Sequence, residues 1–413
     1  MPAIPVMESH HQHHQHHQDP SLLLLPPPPH SSAAALRTAY EPPLKAAIQN
    51  LKTHRDPQND RGSVLFVGIV SPILIGAPSH PRAFSWPAAQ SVLARVYSIV
   101  AVVCAQLSVP SEMRAGPGSI DVRVVLIDHD LSKTEPRDGD LATPDSTVLV
   151  DLPTFASAYR SWKQIFHVNS ELGHRIFASY LRLYERVQPL RPDQLVLVES
   201  GPSLLEEVAR LPSPSQTYSV VCLGGTFDHL HVGHKLLLTA AAILLRVPQQ
   251  PSAVPARFII GVTGDELLKR KKYAELVQPW DQRVINVIEF LASVLQLPQN
   301  GRLDPDIVKK DDKVLATFRD GAIEIHCVVL QDAFGPTTAE EEMDVLVVSG
   351  ETRSGGDAVN ARRRDLGWHD LEIFEVDVLD AEDILDDHTQ TKTDFTTKIS
   401  STAIRERKAE RQK

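Results

Sequence analysis

From Tyr218 onward, β-branched runs of strand length alternate with longer helical stretches, and this alternation leaves few folds open. The strands read as SVVCLGG (219–225), RFIIGVT (257–263), IEIHCVVL (323–330), DVLVVS (344–349) and LEIFEVDVL (371–379). Helical patterns occupy 234–246, 280–297 and about 356–365, and a last short helix follows Ile399. Hydrophobic strands separated by helices predict a parallel sheet covered on both faces. Ligands of such sheets bind outside the carboxyl ends of the strands, near the point where strand order reverses.

A less defined α/β alternation fills 61–200. VLFVGIV (64–70), IDVRVVLID (120–128) and TVLVDL (147–152) read as strands, and 88–107 and 154–187 as helices. This region offers no phosphate loop, nucleophile elbow or metal spacing, so its role stays open. Without partners, His167 and His174 read as ordinary helix residues rather than metal ligands. Residues 201–217 end in a Pro/Ser cluster and read as a linker. Residues 1–60 begin with HHQHHQHHQ and LLLLPPPP and read as a disordered low-complexity tail, too polar and proline-rich to offset its ordering entropy. Its histidine tract can bind transition metals adventitiously, but a low-complexity expansion is the preferred reading.

Bulk composition sets limits on function. At roughly 150 residues per domain, 413 residues suggest two domains and a tail. The 42% apolar content excludes wholesale disorder. With 52 acidic against 42 basic residues, a broad nucleic-acid-binding surface is not expected. Cys104, Cys222 and Cys327 are too scattered for a disulfide framework or a Cys-rich zinc site, which fits a reducing compartment. The longest apolar run, 96–105, reads as a buried helix, and no membrane span is expected. No basic region precedes the early leucines and arginine is scarce there, so neither a secretory nor a transit signal is expected and the cytosol is the default location.

The chemistry concentrates where the strand 219–225 ends in GGTFDHLHVGHK (224–235). Gly224 and Gly225 let the backbone turn and approach a ligand. His231, Gly233 and His234 then fall at a helix start, where free N–H groups and the dipole favour an anion. Two imidazoles at this spacing can donate hydrogen bonds to phosphate oxygens, and Gly233 lets a nucleotide lie against the helix. Helix capping or a metal pair is the competing reading. A second signal is KISSTAIRER (398–407), at the start of the last helix. Ser400, Ser401 and Thr402 supply hydroxyls and backbone donors, and Lys398 and Arg405 supply charge, which also describes a phosphate site. A plain Ser/Thr cap competes with that reading. Asp228 reads either as an orienting carboxylate or as an Asx turn, and the acidic run 380–387 as a solvated loop rather than a metal site.

These runs resemble the nucleotidyltransferase superfamily, with its H-x-G-H and I-S-S-T-x-x-R signatures. Together with DELLKRKKYAELVQPWDQR (265–283), LQDAFGPT (330–337) and LVVSGETRSGGDAVNARR (346–363), they are more narrowly similar to eukaryotic, in particular fungal, phosphopantetheine adenylyltransferases. The resemblance covers about 218–410 and implies a Rossmann-like doubly wound parallel sheet in a carboxy-terminal domain, 218–413. It implies transfer of AMP from ATP to 4'-phosphopantetheine, giving dephospho-coenzyme A and pyrophosphate, with no covalent enzyme intermediate. It places Thr226 beside the attacking phosphate and His231 and His234 on the ATP phosphates and the transition state. Ser400, Ser401 and Thr402 would hold the β- and γ-phosphates with Arg405 assisting, and Arg353 would contact nucleotide or phosphate. One lysine would reach the phosphates; Lys269 is assigned here, with Lys271 and Lys272 open as alternatives. Mg²⁺ would neutralise the triphosphate, mostly through water and substrate oxygens. Other coenzyme A biosynthetic enzymes are conceivable partners.

Rival readings are a cytidylyltransferase or mononucleotide adenylyltransferase, a class I aminoacyl-tRNA synthetase, and a non-catalytic scaffold. The motifs at 330–363 argue against the first, and no anticodon-binding extension is evident for the second. Intact histidines and Ser-Ser-Thr argue against the scaffold. No G-x-x-x-x-G-K-[ST] loop occurs, so a fused Walker-type kinase is not expected.

Overall fold

The computed structural model describes residues 19–29, 33–55, 62–74, 84–131, 149–157, 161–185, 188–202, 214–248, 254–295, 305–310, 312–377 and 400–412. The amino-terminal half runs β1 (Ser21–Leu25), α1 (Ala33–Thr53), β2 (Ser63–Ser71), α2 (Trp86–Gln106), β3 (Ile120–Asp128), β4 (Val150–Asp151), α3 (Leu152–Ser157), β5 (Ile165–Asn169), α4 (Glu171–Tyr184) and β6 (Leu195–Glu199). The carboxy-terminal half runs β7 (Val220–Gly225), α5 (Val232–Ala242), β8 (Ala256–Thr263), α6 (Asp265–Leu268), α7 (Trp280–Leu295), β9 (Asp306–Lys310), β10 (Lys313–Phe318), β11 (Ile323–Leu330), β12 (Val345–Ser349), α8 (Arg353–Asp365), β13 (Glu372–Val376) and α9 (Ser401–Arg411).

The four leucines assigned to a tail form the middle of the first sheet. β1 pairs in parallel with β2 on one side and β5 on the other, within the order β4-β3-β2-β1-β5-β6. Leu22 through Leu25 are buried, as expected of a parallel strand covered on both faces, which reads as an unbroken apolar run. The tail assignment is therefore wrong over β1 and α1. A five-residue strand between a histidine tract and a proline run is diluted in the mean composition of the 60 residues around it. The histidine tract itself, the linker segment 203–213 and the acidic run 380–387 lie outside the described residues.

The helix expected over 154–187 is also corrected. It divides into α3, β5 and α4, because Ile165, Phe166 and Val168 make a buried strand and Ser170 starts a new helix by accepting from the Gly173 N–H. His167 therefore lies on a strand, its ring stacked on Phe177 at 3.9 Å.

The second sheet has the order β13-β12-β7-β8-β11-β10-β9. Its strands are parallel from β13 to β11, and the β9–β10 hairpin, absent from the sequence reading, adds two antiparallel strands at one edge. The chain leaves β7 for β8 on one side and returns at β12 on the other, so strand order reverses at β7. The fold is α/β and Rossmann-like.

The two halves share one apolar core, which runs from α1 and α2 through α5 and α7. Trp86 on α2 donates its indole N–H to the Ala240 carbonyl on α5 at 2.8 Å and packs edge-on against Phe374 of β13. Among the described helices, α2 is long and apolar enough to cross a membrane, but 72% of its apolar window is buried inside the protein. Cys104, Cys222 and Cys327 are free and buried, and burial raises each thiol pKa to about 12.

Candidate active site

Where β7 ends, the backbone turns sharply. Phe227 and His229 both adopt left-handed φ angles, 52° and 47°, which side-chain-bearing residues adopt only when their surroundings enforce it. Gly225 is required here, since a Cβ would lie 2.9 Å from the Phe227 ring. Two buried charged residues enforce the turn. Arg283, on α7, donates to the Thr226 carbonyl at 2.7 Å, the Thr263 carbonyl at 2.8 Å and the Gln278 carbonyl at 2.9 Å, and it pairs with Asp265. Asp228 accepts from the Gln278 N–H at 2.9 Å and pairs with Arg405. It is a buried orienting carboxylate, and the Asx-turn alternative falls away.

His231 caps α5, its Nδ1 accepting from the Gly233 N–H at 3.2 Å. That bond leaves the proton of the neutral ring on Nε2. Its ring stacks on His234 at 3.9 Å between centroids. Burial, then the charges of Lys235 and His229, pushes the His231 imidazole down to about 3. Burial, then His231, Lys271 and His229, holds His234 well below its ordinary value. Both rings are therefore uncharged near neutrality, and His234 Nδ1 is buried with no hydrogen-bond partner.

The last helix meets this loop. Ser401 donates its hydroxyl to the Asp228 carbonyl at 2.8 Å, and Ser400 caps α9 by accepting from the Ala403 N–H. The two motifs, more than 160 residues apart, thus meet at the reversal point, with the start of α9 against the loop that leads into α5. Ser400 thus takes the capping role.

Two placements differ from those expected. Arg405 is buried, and its guanidinium is shared among Asp228, the Lys272 carbonyl and Thr402 Oγ1, so it braces the site rather than reaching for phosphate. Lys269 pairs with Glu266 and Lys272 with Glu406. Lys271 Nζ instead lies 3.5 Å from Thr226 Oγ1, beside the turn. Arg353 starts α8 beyond β12, on the same sheet end, paired with Glu375. Gly224 and Gly233 flank the turn. Lys398 lies outside the described residues.

The sequence reading missed Arg283, although a charge recurring within the apolar stripe of α7, beside Trp280, Val284 and Val287, was a usable signal. It also missed Lys235 and Lys408. Lys408 donates to His229 Nδ1 at 3.1 Å, while His229 Nε2 donates to the Leu276 carbonyl.

Residues 222–407 match a family described as cytidylyltransferase-like. Phosphopantetheine adenylyltransferase from Pyrococcus furiosus is 31% identical over 162 residues, covering 39% of this chain and 79% of that protein. The chain belongs to the cytidylyltransferase-like nucleotidyltransferases. Phosphopantetheine adenylyltransferase from Saccharomyces cerevisiae is 33% identical over 203 residues, 49% of this chain and 52% of that protein, so the match spans about half the length of that relative. A Schizosaccharomyces pombe protein named only as uncharacterized is 34% identical over 281 residues, 64% of this chain and 74% of its own length. Residues 7–204 match a domain of unknown function (DUF8446), placing the nucleotidyltransferase site beside a second, unassigned domain.

Proposed function

We propose that this nucleotidyltransferase transfers AMP from ATP to 4'-phosphopantetheine, giving dephospho-coenzyme A and pyrophosphate. The observation that supports the reading is the Ser401 hydrogen bond to the Asp228 carbonyl, which brings the start of α9 against the loop that leads into α5. The adenylyltransferase relatives supply the substrate class. A phosphate oxygen of the acceptor attacks the α-phosphorus of ATP. The bond from that phosphorus to the bridging oxygen breaks, and pyrophosphate leaves with the electron pair.

In this proposal no side chain is a nucleophile, and catalysis comes from positioning and fixed donors. Neutral imidazole N–H groups of His231 and His234 meet charge as it builds on the transferring group. Lys271 and Thr226 face the incoming phosphate, and the amino end of α9 holds the β- and γ-phosphates. Mg²⁺ belongs to the proposal as the counter-ion of the triphosphate. Among the described residues no cluster of three His, Cys, Asp or Glu side chains could hold a metal; the residues fit an ion carried mainly by ATP and water.

Pyrophosphate release from ATP or CTP, measured with a panel of phosphorylated acceptors, tests the reading. Release with ATP and 4'-phosphopantetheine is expected. Preference for CTP, or for phosphocholine or a mononucleotide, would replace the substrate assignment.

A further inference from the structure

The first turn of the helix that carries the two histidines is anchored to the other domain. Lys235, next to His234 on the first turn of α5, is fully buried, and an unpaired ammonium there would be costly. Its three N–H donors meet three acceptors: Asp121 Oδ1 at 2.5 Å, the Ser111 carbonyl at 3.0 Å and the Val122 carbonyl at 3.2 Å. All three belong to the amino-terminal domain. The second Asp121 oxygen accepts from Arg123 at 2.7 Å, so both ends of the carboxylate are fixed. Burial works against its charge, yet Arg123 and Lys235 outweigh that and keep Asp121 below the usual carboxylate range.

The loop 111–114 extends this hold. The Met113 N–H donates to the Leu230 carbonyl at 3.0 Å, directly before His231. Arg114 pairs with Glu289 on α7, and buried Glu112 lies 3.9 Å from Arg407 on α9. One short stretch therefore contacts α5, α7 and α9, the helices that frame the site. Stability alone does not account for the Lys235–Asp121 pair, since apolar residues of similar volume are often as stable or more so in such places. What the pair adds is a fixed position, because α5 cannot slide or rotate without stranding a buried charge.

We propose that Asp121 and the loop 111–114 are positioning residues for the reaction, holding His231 and His234 in register with the ATP phosphates, so that the domain of unknown function is a working part of the nucleotidyltransferase. This rests on the adenylyltransferase reading of the site. A shift of about 1 Å in such groups can cost on the order of 100-fold in rate.

The decisive variant, in the full chain, is Asp121→Leu with Arg123→Leu and Lys235→Met, which removes all three charges of the buried group and leaves none of them unpaired. Melting temperature at or above the parent's is expected, with kcat lowered about 10- to 100-fold and the KM for ATP changed by less than about threefold. Parental kcat at parental melting temperature would overturn the proposal. So would a kcat loss that merely tracks a lowered melting temperature. Should this variant not fold, Arg114→Ala decides, because Arg114 is partly exposed and its loss strands no fully buried charge. A threefold or larger fall in kcat at unchanged melting temperature supports the proposal, and parental kcat overturns it. Each ratio is taken with the acceptor that the parent uses. A parent active only on another acceptor overturns the substrate assignment and leaves the ratio readable, whereas a parent inactive on every acceptor overturns both.

Discussion

The imidazoles at the start of α5 differ from exposed histidines in charge as well as place. His231 is pushed down to about 3, and His234 lies well below its ordinary value, burial being the largest cause for both. Their folded-state affinities for protons are thus below those of the unfolded chain, where histidine titrates near about 6.5. As pH falls from about 6.5 towards 3, the unfolded chain takes up protons that the folded chain refuses, and stability is lost across that window. Buried His229 and His326 and half-buried His129 and His167 are shifted the same way. Melting temperature is expected to fall steadily below pH 6.5, and the double variant His231→Gln, His234→Gln to show a shallower fall. An identical slope in that variant would remove these two rings from the explanation. Lys271 offers a second residue-scale test. It alone of the three candidate lysines neighbours Thr226, so Lys271→Ala should lower turnover about 10-fold or more, while Lys269→Ala, which loses only an exposed pair with Glu266, should stay within about twofold. The reverse ranking in steady-state assays would return the role to Lys269.

Among the elements, β1 carries the largest revision. Leu23 is fully buried between β2 and β5, so Leu23→Ala should cost about 2–5 kcal/mol. A denaturant titration giving less than about 0.5 kcal/mol would put these leucines back in a tail. The contrast with β7 explains what a sequence of this kind makes legible. β7, β8, β11 and β12 sit between long helical patterns, so their length and neighbours identified them, and the turn after β7 carried its chemistry in consecutive residues. β1 has no such frame, and β5 was absorbed into a longer helical pattern until Ser170, read as a cap, divides it. The site was legible where its parts are contiguous, as in 224–235 and 400–402. It was illegible where a role depends on which way a flexible chain turns. Lys269, Lys271 and Lys272 differ only in the group each meets, and Arg405 and Arg283 look like phosphate ligands or surface charges until their buried carbonyl partners are known.

At the scale of the whole molecule, the amino-terminal domain and the nucleotidyltransferase domain share one core, and charged residues of the first domain reach the first turn of α5 in the second. Two helix ends, two uncharged imidazoles and one lysine meet at the reversal point of the second sheet, a set suited to stabilising a transferring phosphoryl group without covalent help. The most direct test of this account is the reverse reaction: ATP formation from dephospho-coenzyme A and pyrophosphate with Mg²⁺, followed by luciferase luminescence in the parent and in His234→Ala. The account predicts steady ATP formation by the parent, and a rate about 100- to 1,000-fold lower in a variant whose circular dichroism spectrum is unchanged. No ATP from the folded parent, or equal rates in parent and variant, would contradict it.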